Sequence, residues 1–159
     1  MPRACLLPRR ALAAILIVGL MAPAMAAEVE HLRLNTPGAL APAKAQAIYQ
    51  RIRKEMAQGY APAQDPIARN YPRWRRFNFA PYLSATHGNR YANNYANGRA
   101  TKAGYGNLKP GQRMPAGAVV VKDSFTVTKE GEVFPGALFY MEKLAPGRSP
   151  ETGDWRFVQ

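Results

Sequence analysis

Between Ala116 and Leu144 the chain reads "AGAVVVKDSFTVTKEGEVFPGALFYMEKL", and no other stretch constrains the fold as much. Two runs rich in β-branched and aromatic residues flank "TKEGEV", where Gly131 is available for positive φ. The pattern predicts two antiparallel strands, over about 117–128 and about 133–144. Alternation along the first puts Val119, Val121, Asp123, Phe125 and Val127 on one face and Val120, Lys122 and Ser124 on the other. In the second, Leu138, Tyr140, Glu142 and Leu144 share a face, opposite Ala137, Phe139, Met141 and Lys143. Pro135-Gly136 interrupts it as a bulge or an edge would. "APGRSPETGDW" then reads as a turn-rich loop, and "WRFVQ" opens a third strand. The lysine at the centre of an apolar strand has two readings. Usually the stem of such a lysine lies along the sheet and its ammonium reaches water. In a dry pocket it serves instead as a nucleophile or proton carrier.

The first 26 residues have a different character. Arg3, Arg9 and Arg10 precede the uncharged apolar run "ALAAILIVGLMAPAMA", which ends in Ala24-Met25-Ala26. A basic start, an apolar centre and small residues at the end predict a secretory signal peptide cleaved after Ala26. The run is short for a membrane anchor and carries Pro23, so no stable membrane span is expected after cleavage. The expected destination is the periplasm. The chain has 22 Lys plus Arg against 10 Asp plus Glu, a net charge of +12, and losing the three leader arginines leaves +9. Such a balance suits an anionic partner, or is simply a solvated basic surface. Nucleic acid fits the charge, but export argues against it. The single cysteine, Cys5, lies in the leader, so the mature chain holds no disulfide and no thiolate metal site.

Past the leader, "PAKAQAIYQRIRKEMAQGY" predicts an amphipathic basic helix over about 43–57. Ala45, Ile48, Ile52 and Met56 form its apolar stripe, Pro42 suits its first turn and Gly59 its C-terminal cap. Residues 61–115 have little periodicity and are rich in Tyr, Asn, Gly, Arg and Pro. "RFNFAPYLSATH" can hold a short strand, and "NRYANNYANGRATKAG" a strand end and one or two helical turns. The rings and guanidinium groups between Asn70 and Tyr105 either stack a planar ligand or pin an ordered loop.

Several chemistries have no support. Only His31 and His87 are present, nothing resembles a nucleophile elbow, and "GRATKAGYG" lacks the strand–loop–helix setting of a phosphate loop. His87, in "SATHGNR", is either an ordinary hydrogen-bonding residue or a haem or metal ligand.

The segments "MPAGAVVVKDSFTVTKEGEVFPGALFYMEKL" and "GDWRF", with "THGNRYANNYAN" and "YPRWRRFNFAPY" upstream, resemble the cytochrome P-460 family of exported haem proteins over about residues 59–159. The resemblance rests on the order and spacing of these segments. It implies an α+β fold, mainly an antiparallel β-sheet with an N-terminal helix and a few short helices, often as a homodimer. It implies a c-type haem, and chemistry on a small nitrogen compound such as hydroxylamine or nitric oxide with a periplasmic electron carrier. Lys122 matches the lysine that hydroxylamine-oxidising members cross-link to the haem ring. Arg90, Tyr91 and His87 are then expected to line or support the pocket, with Val120 and either Leu138 or Tyr140 beside Lys122. The resulting division is a signal peptide at 1–26, an extension with a helix at 27–58 and a P-460-like domain at 59–159.

One departure is large. The family's haem-attaching C-x-x-C-H is absent from these 159 residues. Covalent attachment is therefore not expected of this chain as it stands. Three explanations stay open: a truncated or frameshifted gene product, part of a longer protein, or a variant without covalent haem. The ending inside a strand favours the first two. The alternative reading is a haemless exported basic domain that binds an anionic or protein partner through the Tyr/Arg/Asn-rich segment.

Overall fold

The computed structural model describes residues 32, 34 and 39–159. The expected signal peptide, its expected cleavage site and Cys5 lie outside the described residues. Among the described residues, no helix is long and apolar enough to cross a membrane.

Helix α1 (Pro42–Tyr60) leads, with Pro42 in its first turn. Proline is at home there because the first-turn amides have no intrahelical acceptor. The helix runs through Gly59, where the sequence suggested a cap, and a 3-10 turn over Ala61–Ala63 follows directly. Tertiary contacts account for the extension: the Tyr60 hydroxyl donates to the Gly136 carbonyl at 2.7 Å, and its ring packs on Tyr71. The break falls at Gln64, which takes a left-handed conformation. Asp65 then caps α2 (Pro66–Asn70) by accepting from the Ile67 amide at 2.7 Å.

Among the described residues, seven strands form one antiparallel sheet. They are β1 (Arg75–Arg76), β2 (Tyr82–Ser84), β3 (Arg90–Ala96), β4 (Val119–Val127), β5 (Val133–Pro135), β6 (Phe139–Lys143) and β7 (Trp155–Val158). The order is β1-β3-β4-β6-β7; β2 also pairs with β3, and β5 with β4. An α+β architecture with a mostly antiparallel sheet is thus present. The two sequence-predicted strands around "TKEGEV" are β4 and the β5–β6 pair, split at Gly136–Leu138 where Pro135-Gly136 had signalled an interruption. The stretch at 90–96, expected to yield a strand end, is a full strand beside the centre of the sheet. Its run of Asn and Tyr hid it, because strand propensity tracks side-chain packing more than backbone preference. A short helix α3 (Gly98–Lys102) follows, capped by Asn97, whose side chain accepts from the Ala100 amide.

Helix α1 covers one face of the sheet. Ala45, Ile48, Tyr49, Ile52 and Met56 pack with Tyr91, Tyr95, Val119, Val121 and Phe125 in a single core. The alternation expected of β4 holds, with Val119, Val121, Asp123 and Phe125 all buried beneath the helix. The β4–β5 turn is tied to the chain preceding α1: the Leu34 amide donates to the Gly131 carbonyl at 2.5 Å, and the Val133 amide donates to the Leu32 carbonyl at 3.0 Å. Gly131 has φ +88°, and a Cβ there would fall 1.8 Å from the Leu34 carbonyl oxygen. Gly131→Ala should therefore cost about 2 kcal/mol, through left-handed strain and displacement of this pairing. Chemical denaturation of the variant beside wild type checks the value.

Candidate functional site

The face of the sheet opposite α1 carries a cavity of about 450 Å³ over β4, β6 and β7. Strand register decides what reaches it. Lys122 pairs with Phe139 and Val120 with Met141, so these four side chains project together. Phe157 and Val158 of β7 extend the wall, and His87 closes it from the 3-10 turn Ala85–His87. The wall is mostly apolar. Its basic groups are one amine and one imidazole, Tyr140 and Gln159 also line it, and no Asp or Glu does among the described residues. Phe157, 65% exposed, leaves a large ring open to solvent at the rim.

His87 is held firmly. Its Nδ1 shares hydrogen bonds with the hydroxyls of Ser84 at 2.8 Å and Thr86 at 3.0 Å. The Phe139 ring meets it edge-on with centroids 4.8 Å apart. Partial burial first, and then the Lys122 charge, keep the imidazole below its ordinary pKa. The ring is therefore mainly neutral at pH 7, with Nε2 as its second polar atom.

The other sequence-predicted residues distribute differently. Arg90 opens β3 on the Lys122 side of the sheet, and its guanidinium lies by Gly136 and Ser124, outside the cavity wall. Tyr91 lies on the helix side. It pairs with Phe125, stacks on that ring at 5.2 Å, and its hydroxyl accepts from the Leu40 amide at 2.7 Å. Tyr140 pairs with Val121 and packs in the α1 core. It contributes to the cavity wall, but its hydroxyl donates to Asp65 Oδ2 at 2.5 Å. Beside Lys122 the register puts Phe139 and Met141, while Tyr140 of β6 and Leu138 just before it pack in the α1 core.

A second cluster went unnoticed in the sequence. Asp123, fully buried, accepts from Asn93 Nδ2 at 2.9 Å, from the Tyr49 hydroxyl at 2.7 Å and from the Tyr71 hydroxyl at 3.3 Å. Tyr49 is also bonded to the Tyr95 hydroxyl, and Asn93 accepts from Asn78 at 3.0 Å. Burial outweighs these donors and pushes the Asp123 carboxyl up to about 6. Burial, and then the Asp123 charge, push Tyr95 up to about 12 and raise Tyr49 and Tyr71 still further. The signal was available: Asp123 has the same parity as Val119, Val121 and Phe125, so it had to be buried with them.

No family model, no curated protein and no solved structure matches the chain.

Proposed function

We propose that this is a cytochrome P-460-like haem protein of the periplasm, acting on small nitrogen compounds such as hydroxylamine or nitric oxide. The observation that carries the reading is the meeting of Lys122 and His87 at one mostly apolar cavity on the face of the sheet away from α1. A porphyrin needs apolar walls, a cationic group near its carboxylates and a neutral nitrogen base, and the cavity residues fit each requirement. No thioether link can come from residues 27–159, which contain no cysteine, so Lys122 and His87 are the groups that would hold the haem.

When bound, haem supplies one-electron redox chemistry and a coordination position for a small nitrogen ligand. The chain's own residues do the rest. His87 presents a neutral imidazole whose ring plane is fixed through Nδ1 by Ser84 and Thr86 and through its edge by Phe139. Fixing the ring in this way lowers the cost of ordering it on binding. Lys122 would place its ammonium beside the haem carboxylates as the cation of the cavity. Val120, Met141 and Phe157 give the cavity its apolar surface.

The activity is tested by adding hydroxylamine, and separately nitric oxide, to protein reconstituted with haemin. A saturable shift of the Soret band with either compound is the expected result. Reconstituted protein whose spectrum responds to neither would remove the assignment to nitrogen-compound chemistry.

A further inference from the structure

On the opposite side of the sheet from Lys122, a groove of about 650 Å³ runs between the second half of α1 and the segment 71–76. Its lining includes three cations, Arg53, Lys54 and Arg76, and among the described residues no acid. Neither Arg53 nor Lys54 forms an ion pair with a described acid. Arg76 is fixed in place: its Nη2 donates to Gln46 Oε1 at 2.9 Å and to the Phe79 carbonyl at 2.5 Å, and its guanidinium lies over the Tyr49 ring at 5.4 Å. The charges of Arg76 and Arg53 both reach the Tyr95 hydroxyl, where they favour the ionised phenol. Three like charges bordering one concave surface make a field that draws an anion.

The remaining wall selects the body of that anion. Trp74 and Pro72 give it flat apolar surfaces. The hydroxyl network gives it polarity. Tyr49 donates its single proton to Asp123, so Tyr95 donates to the Tyr49 oxygen and keeps acceptor capacity of its own. An inorganic ion uses neither the rings nor the acceptor.

The geometry points to this groove as a second ligand site, one that takes a small aromatic carboxylate bearing a hydroxyl group. The carboxylate sits among Arg53, Lys54 and Arg76, the ring against Trp74, and the hydroxyl donates toward Tyr95. The site is independent of the haem reading because it lies on the other face of the sheet.

The test is calorimetric titration of the whole protein at low ionic strength with 4-hydroxybenzoate, and with neutral 4-hydroxybenzamide as its uncharged counterpart. One saturable site for the carboxylate is expected, with the amide at least about tenfold weaker. The Arg53→Gln/Lys54→Gln double variant should bind the carboxylate about tenfold more weakly, since two partly exposed charge contacts together are worth on the order of a decade in affinity. Both positions are exposed on a helix and glutamine is a good helix former, so the variant folds. Equal binding of the two probes, no saturable binding, or a double variant that binds like wild type overturns the proposal.

Discussion

Asp123→Ala is expected to destabilise the protein by about 4 kcal/mol at about pH 5, the largest effect of any single side chain outside the apolar core. The Asp123 carboxyl group is the shared acceptor for Asn93, Tyr49 and Tyr71, all buried. Truncation strands the Asn93 and Tyr71 donors and leaves Tyr49 only Tyr95 as partner, and each stranded donor costs about 1–3 kcal/mol. A void in the α1-side core adds to this. Asp123→Asn is the informative companion, because it keeps the volume and an acceptor for Asn93. The sign of its pH dependence follows from the raised pKa. Asp123 titrates near 6 in the folded protein, above the ordinary carboxyl value, so between those values the folded chain holds a proton that the unfolded chain releases. The stability it contributes is fully present below the unfolded pKa and is lost as pH rises through about 6. From about pH 4.5 to about pH 8 wild type should therefore lose about 2 kcal/mol through this group alone, and Asp123→Asn should not. Urea unfolding of both proteins at the two pH values measures the difference. A gap that stays constant would mean that Asp123 does not titrate as its burial requires.

The second large effect concerns the cavity on the other face. His87→Ala should weaken haemin binding at least about tenfold and move the Soret band, because the cavity then retains no imidazole and a nitrogen base contributes more than about 1.4 kcal/mol to holding haem iron. Lys122→Ala should weaken binding less, by about threefold to tenfold, since it removes a partly exposed charge and leaves the base. The two variants also separate the roles by spectrum: losing the base changes the band position, and losing the charge changes only the affinity. Neither should alter stability by more than about 1 kcal/mol, because His87 and Lys122 are only half-buried and lie outside the α1 core.

The strands of the C-terminal half were legible because β-branched and aromatic residues are dense there and Pro135-Gly136 marks the break, and the faces of Val119, Val121 and Phe125 follow from parity alone. The helix was legible from the four-residue spacing of Ile48, Ile52 and Met56, but its end was not. Tyr60 extends it by reaching Gly136, a contact 76 residues away that no local pattern contains. The strand 90–96 was half-legible for a similar reason: the sequence offered only a strand end there, whereas Asn93 is a buried hydrogen-bond donor to Asp123 from the middle of a full strand. Of the site, Lys122 and His87 were readable as candidates, and only register brings them together. Tyr91 and Tyr140 were placed with them by segment resemblance, whereas a count of parity through the β3–β4 and β4–β6 ladders puts both hydroxyls on the α1 side.

Whether the Lys122–His87 face binds haem is decided by a haemin titration followed by absorbance. A haem site there gives a saturable Soret band at one haem per chain that His87→Ala shifts or abolishes. A titration that gives only the spectrum of free haemin, or a bound spectrum identical in wild type and His87→Ala, would contradict it.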